Sequence, residues 1–204
     1  MIIYKGEKHI IRAKGTMAEK EGPDGVREMK YYPERDVEAI AGEIDELTAW
    51  QLMHDIAAGT EETDTPISPS HVLIDGDLFK TAEWSEGYEE AYMSSQGYSP
   101  SWALGATIFF VFMGCPLFQG EGGKIQTATT PVPTLRKGLE ELSRTVGRCL
   151  AYNPEERPSM KELKAMALRN IERLKKEKPK GRNMKRTFGE EKTSLEESWP
   201  EEMK

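Results

Sequence analysis

The sequence predicts an α+β protein that is mainly helical, with a small β-hairpin near the N-terminus. Two observations lead to this fold class: residues 1–33 have a strand-like pattern broken by one turn, and from Glu34 onward the apolar residues recur with a helical period. The length of 204 residues suits one domain with a tail. We therefore divide the chain into a β region, 1–33, a helical region, 34–172, and a charged tail, 173–204.

The N-terminal hairpin is predicted from its turn. Ile10-Ile11 gives the first arm an apolar centre, and the segment Glu21-Gly22-Pro23-Asp24-Gly25 supplies turn residues. Pro23 fixes φ, and Asp24-Gly25 tolerates positive φ. The second arm is residues 26–32, where apolar and polar residues alternate imperfectly.

The first helix of the larger region is predicted from a capping pair. Thr48 and Gln51 have the spacing of a capping box, and the helix that follows places its apolar residues on one face before it stops at Gly59. These apolar residues are Leu52, Met53 and Ile56. Residues 59–70 form a loop, and residues 71–81 a β-hairpin around Asp75-Gly76-Asp77.

A second helix is predicted to lie at the centre of the core. Ser99 suits an N-cap and Pro100 the first helical position. The segment from Trp102 to Met113 is apolar on all sides, which is typical of a buried helix, and Gly114 ends it.

Two further helices follow. The first is amphipathic, and its apolar face comprises Leu139, Leu142, Val146, Cys149 and Leu150. Ser159 and Glu162 then form a capping box that opens the last helix. Its inward residues are Leu163, Met166, Ile171 and Leu174.

Composition and charge restrict the function. The net charge of −7 argues against general binding of nucleic acid or anionic membranes by the body of the protein. The apolar run from Trp102 to Met113 is shorter than the roughly 20 residues of a membrane span. Two cysteines, Cys115 and Cys149, beside apolar stretches indicate buried thiols in a reducing compartment. We expect a soluble, cytoplasmic protein.

The tail changes sign along its length. Residues 173–186 are strongly basic, whereas residues 187–204 are acidic. A basic run can bind nucleic acid, acidic lipid or an acidic partner, but a solvated helix end and linker is the simpler interpretation. The acidic segment can also fold back on the basic one.

Several short motifs, distributed over roughly residues 9–170, resemble parts of one known fold in the same order. The segment from Cys149 to Leu163, CLAYNPEERPSMKEL, is similar to the stretch near the end of the helical lobe of the protein kinase fold. Trp102-Ala103-Leu104-Gly105 with the apolar helix after it resembles the kinase central helix. Residues 69–74, PSHVLI, resemble the end of the catalytic loop and the next strand. Residues 9–33 resemble the last two strands of the small lobe, with Tyr31-Tyr32-Pro33 at the hinge.

This resemblance implies that the parts that hold a nucleotide are missing. It places His9-Ile10-Ile11-Arg12 on the fourth strand of the small lobe, with eight residues before it. The glycine-rich loop, the lysine strand and the glutamate helix of kinases then have no sequence to occupy. Gly120, Gly122 and Gly123 follow the central helix and lie in the wrong lobe.

The resemblance also implies that the catalytic positions are degenerate. Pro66 stands where kinases have the catalytic carboxylate, His71 replaces the magnesium-binding asparagine, and Glu83 begins the segment in place of Asp-Phe-Gly. Proline accepts no proton, and magnesium prefers oxygen ligands. His71 and Glu83 could together bind zinc, but zinc sites usually need three or four ligands.

Arg157, Gln96 and Trp102 take structural roles under this interpretation, whereas the brace that kinases have at the position of Pro100 is lost. Gln96 replaces a glutamate that pairs with an arginine, here Arg157, so an uncharged hydrogen bond is expected between them. Pro100 stands in place of an aspartate that braces the catalytic loop. Trp102 belongs to the core of the central helix.

The sequence therefore predicts a catalytically inactive, kinase-like protein, a pseudokinase, that acts as a protein-interaction or regulatory module without a cofactor. A protein partner, a second copy, or the chain's own tail through Phe188, Leu195 and Trp199 is expected to cover the surface that a small lobe would cover. The alternative is a residual phosphotransferase that a partner chain completes.

Overall fold

The computed structural model describes residues 2–3, 16–21, 27–32, 36–60, 65–81, 89–135 and 138–177. In these ranges the protein is α+β and mainly helical, as predicted. The α-helices are α1 (Glu46–Gly59), α2 (Pro100–Met113), α3 (Glu140–Cys149) and α4 (Met160–Glu177). The strands are β1 (Ile2–Ile3), β2 (Thr16–Glu21), β3 (Arg27–Tyr32), β4 (Val72–Asp75) and β5 (Leu78–Thr81). Short 3₁₀ turns lie at Val37–Ile40, Pro69–His71, Glu90–Tyr92, Leu117–Gly120, Gly122–Ile125 and Pro154–Glu156.

The strands form two antiparallel sheets. In the first, β3 lies between β1 and β2, and the β2–β3 register runs from Glu21 opposite Arg27 to Thr16 opposite Tyr32. The predicted hairpin is therefore present, but its first arm is the segment directly before the turn, and Ile10-Ile11 lies outside the described residues. The second sheet is the predicted hairpin of β4 and β5, with Gly76 at positive φ in its turn.

Helix α1 begins earlier than the sequence suggested. Its N-cap is Asp45, whose carboxylate accepts a hydrogen bond from the backbone N–H of Thr48 at 2.8 Å. The prediction of Thr48 as the N-cap is wrong, because an ionised acceptor three residues upstream already binds that N–H group. The end at Gly59 and the burial of Leu52, Met53 and Ile56 are confirmed.

Helix α2 is the buried centre of the protein, as predicted. Pro100 is its first residue, and Gly114 ends it in the left-handed conformation at φ 72°. Trp102, Leu104 and Ile108 are completely buried. Gly105 lies where α2 meets the end of α3, since a Cβ atom at this position would be 2.6 Å from the Cβ of Cys149.

Helix α3 follows the predicted pattern. In α4, Leu163 and Ile171 are buried as predicted, but the inward placement of Met166 is wrong, because Ala167, one turn after Leu163, takes the buried position.

The capping box at the start of α4 is confirmed: the backbone N–H of Ser159 donates to Glu162 at 2.8 Å, and that of Glu162 donates to the Ser159 hydroxyl at 3.3 Å. The backbone N–H and the hydroxyl of Ser159 both donate to the Glu162 carboxylate, and these two hydrogen bonds lower the pKa of Glu162. Helix α4 continues to Glu177, so the first five residues of the predicted tail are helical. The rest of the tail, 178–204, lies outside the described residues.

The glycine-rich turn after α2 serves close packing. A Cβ atom at Gly122 would lie 2.5 Å from the carbonyl oxygen of Glu90, and one at Gly123 would lie 2.6 Å from the backbone of Ser94. Glycine is required here because two stretches of backbone touch. Phe118 and Gln119, just before them, hold positive φ values of 48° and 59°.

The two cysteines differ in exposure. Cys149 is buried, and burial raises its pKa to about 12. Cys115 is exposed, so the prediction of a buried thiol is wrong there, because Cys115 lies beyond the end of the buried helix α2, after its C-cap Gly114. Within the described ranges, every helix is too short or too polar to cross a membrane.

Candidate functional site

The candidate site lies where the loop after α1 leads into β4. Pro66 is half-buried in this loop, and His71 ends the 3₁₀ turn Pro69–His71, directly before β4. Glu83, the third residue predicted for this site, lies outside the described residues. The proposed pairing of His71 with Glu83 therefore stays a prediction.

A network of hydrogen bonds surrounds His71. The Ser68 hydroxyl lies 2.8 Å from His71 Nδ1 and donates to Glu89 Oε1 at 2.5 Å. The Ser70 hydroxyl donates to the same carboxylate oxygen, and His71 Nδ1 lies 3.7 Å from it. Glu89 Oε1 thus accepts hydrogen bonds from two hydroxyl groups and faces the imidazole of His71.

The hydrogen bonds of this network indicate which tautomer a neutral His71 ring adopts. Because the hydroxyl proton of Ser68 points to Glu89, its oxygen accepts the hydrogen bond that joins it to His71. Nδ1 therefore carries a proton, and in the neutral ring Nε2 is the acceptor.

The network is not arranged for nucleophilic catalysis. In such a site the histidine stands between the hydroxyl and the carboxylate, so that it can take the hydroxyl proton. Here Ser68 stands between His71 and Glu89, and its side chain is completely buried. The arrangement joins the loop before β4 to the segment before the turn Glu90–Tyr92, which is a structural role.

The surroundings of Glu89 are acidic. Burial raises the pKa of Glu38, and the charges of Asp36 and Glu89 raise it further. Burial likewise raises the pKa of Tyr92, with Glu89 and Glu38 as further causes. Despite this concentration of carboxylates, the described residues contain no group of three or more His, Cys, Asp or Glu side chains that could hold a metal ion.

A second feature is the contact of Arg157 with Gln96, which are 61 positions apart. One Arg157 Nη donates to Gln96 Oε1 at 3.0 Å and to the carbonyl of Tyr152 at 2.9 Å, and Nε donates to the carbonyl of Ala151 at 2.8 Å. The hydrogen bond expected from the sequence is present. Burial lowers the pKa of Arg157, since the uncharged amide offers no compensating charge.

Trp102 is held by a buried glutamine. Its indole N–H donates to Gln126 Oε1 at 3.1 Å, and Gln126 Nε2 donates to the carbonyl of Leu150 at 2.7 Å. Gln126 is 3% exposed, so both of its hydrogen bonds are shielded from water. This bridge ties the centre of the core to the end of α3.

Above this bridge lies a groove with a volume of about 430 Å³. We call it the α3 groove. It runs between the loop after Gln126, the exposed side of α3 and the turn that leads to α4. Its lining includes Val132, Arg144, Gly147, Arg148, Tyr152 and Glu156.

Sequence reasoning missed several of these residues. Ser68 and Ser70 lie within three positions of His71, so the sequence spacing could have predicted that their hydroxyl groups are near the histidine. Glu89 follows His71 by 18 positions, and no sequence pattern links the two. The α3 groove joins three separate segments, which only the tertiary structure brings together.

Comparison with known proteins gives no family. No protein-family model matches the chain, and the search of curated proteins finds no similar sequence.

Proposed function

We propose that this chain is a catalytically inactive, kinase-like protein that acts as a protein-interaction or regulatory module. The observation that carries the proposal is the chemistry at the two described positions of the degenerate site. The proposal stands on this site and on the order of the elements.

Pro66 has no group that could accept a proton from an attacking hydroxyl. His71 binds Ser68 through one ring nitrogen, and the remaining nitrogen is a poor ligand for magnesium, which prefers oxygen. Phosphoryl transfer depends on positioned charges and metal ions rather than on covalent steps of the protein, so the loss of these two groups removes a large share of the catalysis.

The order of the elements supports the kinase-like part of the proposal. A β-hairpin precedes α1, the β4–β5 hairpin follows the loop with Pro66 and His71, and the buried helix α2 comes next. Arg157, from the segment most similar to kinases, contacts Gln96 at the position that the resemblance assigns to its partner. Helix α4 then starts at the capping box of Ser159.

Nucleotide binding tests the proposal. A ligand that binds the native state at 100 times its Kd stabilises it by about 2.7 kcal/mol, which raises the Tm of a protein of this size by roughly 5–10 °C. We expect no change in Tm with about 1 mM ATP and magnesium or manganese. A shift of several degrees, or transfer of labelled phosphate to a protein substrate, would overturn the proposal.

One variant tests whether the missing carboxylate alone explains the expected lack of activity. Pro66→Asp restores a carboxylate at the catalytic position. Since one carboxylate supplies neither metal ligands nor a nucleotide site, we expect no phosphotransfer from this variant either. The interaction part of the proposal is tested by light scattering after size-exclusion chromatography. A partner-free monomer that captures no protein from its native source would argue against it.

A further inference from the structure

We propose that the α3 groove binds the acidic segment 187–204 of the same chain. The α3 groove is separate from the site of Pro66 and His71, and docking of the segment there does not depend on whether the protein is kinase-like.

The charge of the groove favours an acidic occupant. Arg144 and Arg148 lie one helical turn apart on α3, both are exposed, and both line the groove. Arg144 bonds to Glu141 at 2.6 Å, and Glu156 is the acidic residue of the lining. The lining residues by themselves carry one more positive than negative charge, and since Glu141 forms an ion pair with Arg144, the positive charge of the groove comes mainly from Arg148.

The groove also offers apolar surface. Val132 and Ala151 are half-buried there, and the ring of Tyr152 is 38% exposed. Gly147 leaves open space, since a Cβ atom at this position would have no neighbour within 4 Å. A segment that combines carboxylates with an aromatic side chain complements such a surface.

Segment 187–204 has this composition. It contains six glutamates and two lysines, for a net charge of −4, together with Phe188, Leu195 and Trp199. Glu196 and Glu197 lie between Leu195 and Trp199, so charge and apolar groups occur within five residues.

The length of the connecting chain fits this placement. The groove lining ends at Glu156, shortly before α4, whose 18 residues span about 27 Å. Residues 178–186 can span at most about 30 Å when extended, which is enough to return along α4. Because the segment is tethered, its effective concentration at the groove is in the millimolar range, so a weak site is enough.

Disulfide trapping in the full-length chain tests this placement. In a Cys115→Ser background, Ser198→Cys provides a thiol in the segment, and Gly147→Cys provides one in the groove. The native Cys149 is buried and does not compete. The matched control replaces Gly147→Cys by Ala165→Cys, which is exposed on α4 and closer along the chain to the start of the tail.

A freely moving tail, or one that folds back on the basic run, favours the nearer thiol at position 165. A docked segment favours position 147. We expect the 147–198 disulfide to form at least about tenfold faster than the 165–198 disulfide, as measured by mass spectrometry of digested monomer. Equal rates, or a faster reaction at position 165, would overturn the proposal, as would disulfides formed mainly between chains.

Charge reversal adds a second readout. Arg144→Glu with Arg148→Glu should remove the preference for position 147, and adding Glu196→Arg with Glu197→Arg should restore it. Both arginines are exposed, so these substitutions leave the core intact. A preference that survives the arginine reversal would show that charge does not direct the segment, which contradicts the proposal.

Discussion

Gly105 offers a sharp test of how α2 and α3 pack, because the Cβ atom of an alanine at this position would overlap a neighbouring residue. The added Cβ would lie 2.6 Å from the Cβ of Cys149 and 3.4 Å from Leu150, whereas ordinary contacts begin near 3.4 Å. The Cβ of Cys149 is attached directly to the backbone of α3, so rotation of its side chain cannot relieve this clash. The helices must separate by almost 1 Å.

The magnitude follows from two opposing effects. Overpacking of this kind costs about 1–3 kcal/mol, and separating the helices also weakens dispersion contacts along the interface. Alanine regains about 0.5–1 kcal/mol over glycine in a helix interior. We expect Gly105→Ala to lower the free energy of unfolding by about 2 kcal/mol.

Gly147→Ala is the matched control, since it makes the same change in a helix interior but meets open space. It should raise the free energy of unfolding by about 0.5–1 kcal/mol. Urea denaturation followed by circular dichroism measures both variants, whose Tm values should differ by roughly 5–10 °C. If Gly105→Ala matched or exceeded the wild-type stability, the close approach of α2 to α3 would be refuted. A coupling energy with Cys149→Gly, but not with Cys149→Ala, would place the clash at the Cβ atom.

Three further predictions concern polar residues. Gln126→Ala should lower the free energy of unfolding by about 2–4 kcal/mol, because the indole of Trp102 and the carbonyl of Leu150 lose their buried partner. A loss below about 1 kcal/mol in urea unfolding would contradict this prediction. Gln96→Glu should stabilise the protein by about 0.5–1 kcal/mol at low salt, because it gives Arg157 a charged acceptor. Gln96→Ala is the destabilising control. An equal stabilisation by Gln96→Glu in about 1 M salt would show that the added charge is not its cause. Glu38→Gln should raise Tm at pH 7, since the raised pKa of Glu38 means that the folded state disfavours its charge. The gain in Tm should vanish below about pH 4, where the carboxyl group is protonated in both the folded and the unfolded state. A gain in Tm that persists in acid would point to another cause.

The sequence determined the helices and turns because their signals are local. The apolar surface of α2, the capping box at Ser159 and the glycines at the ends of α1 and α2 depend on residues within a few positions of one another. The predicted N-cap of α1 was wrong by three residues, because Asp45, and not Thr48, supplies the acceptor that caps the helix.

Only the tertiary structure decided which distant residues meet. The sequence suggested Glu83 beside His71, whereas among the described residues Glu89 faces this histidine. The α3 groove and the buried contact of Trp102 with Gln126 likewise join segments far apart in the chain. Such contacts depend on how helices approach and rotate against each other, which is fixed by close fits such as that of Gly105 against Cys149 and not by any local pattern.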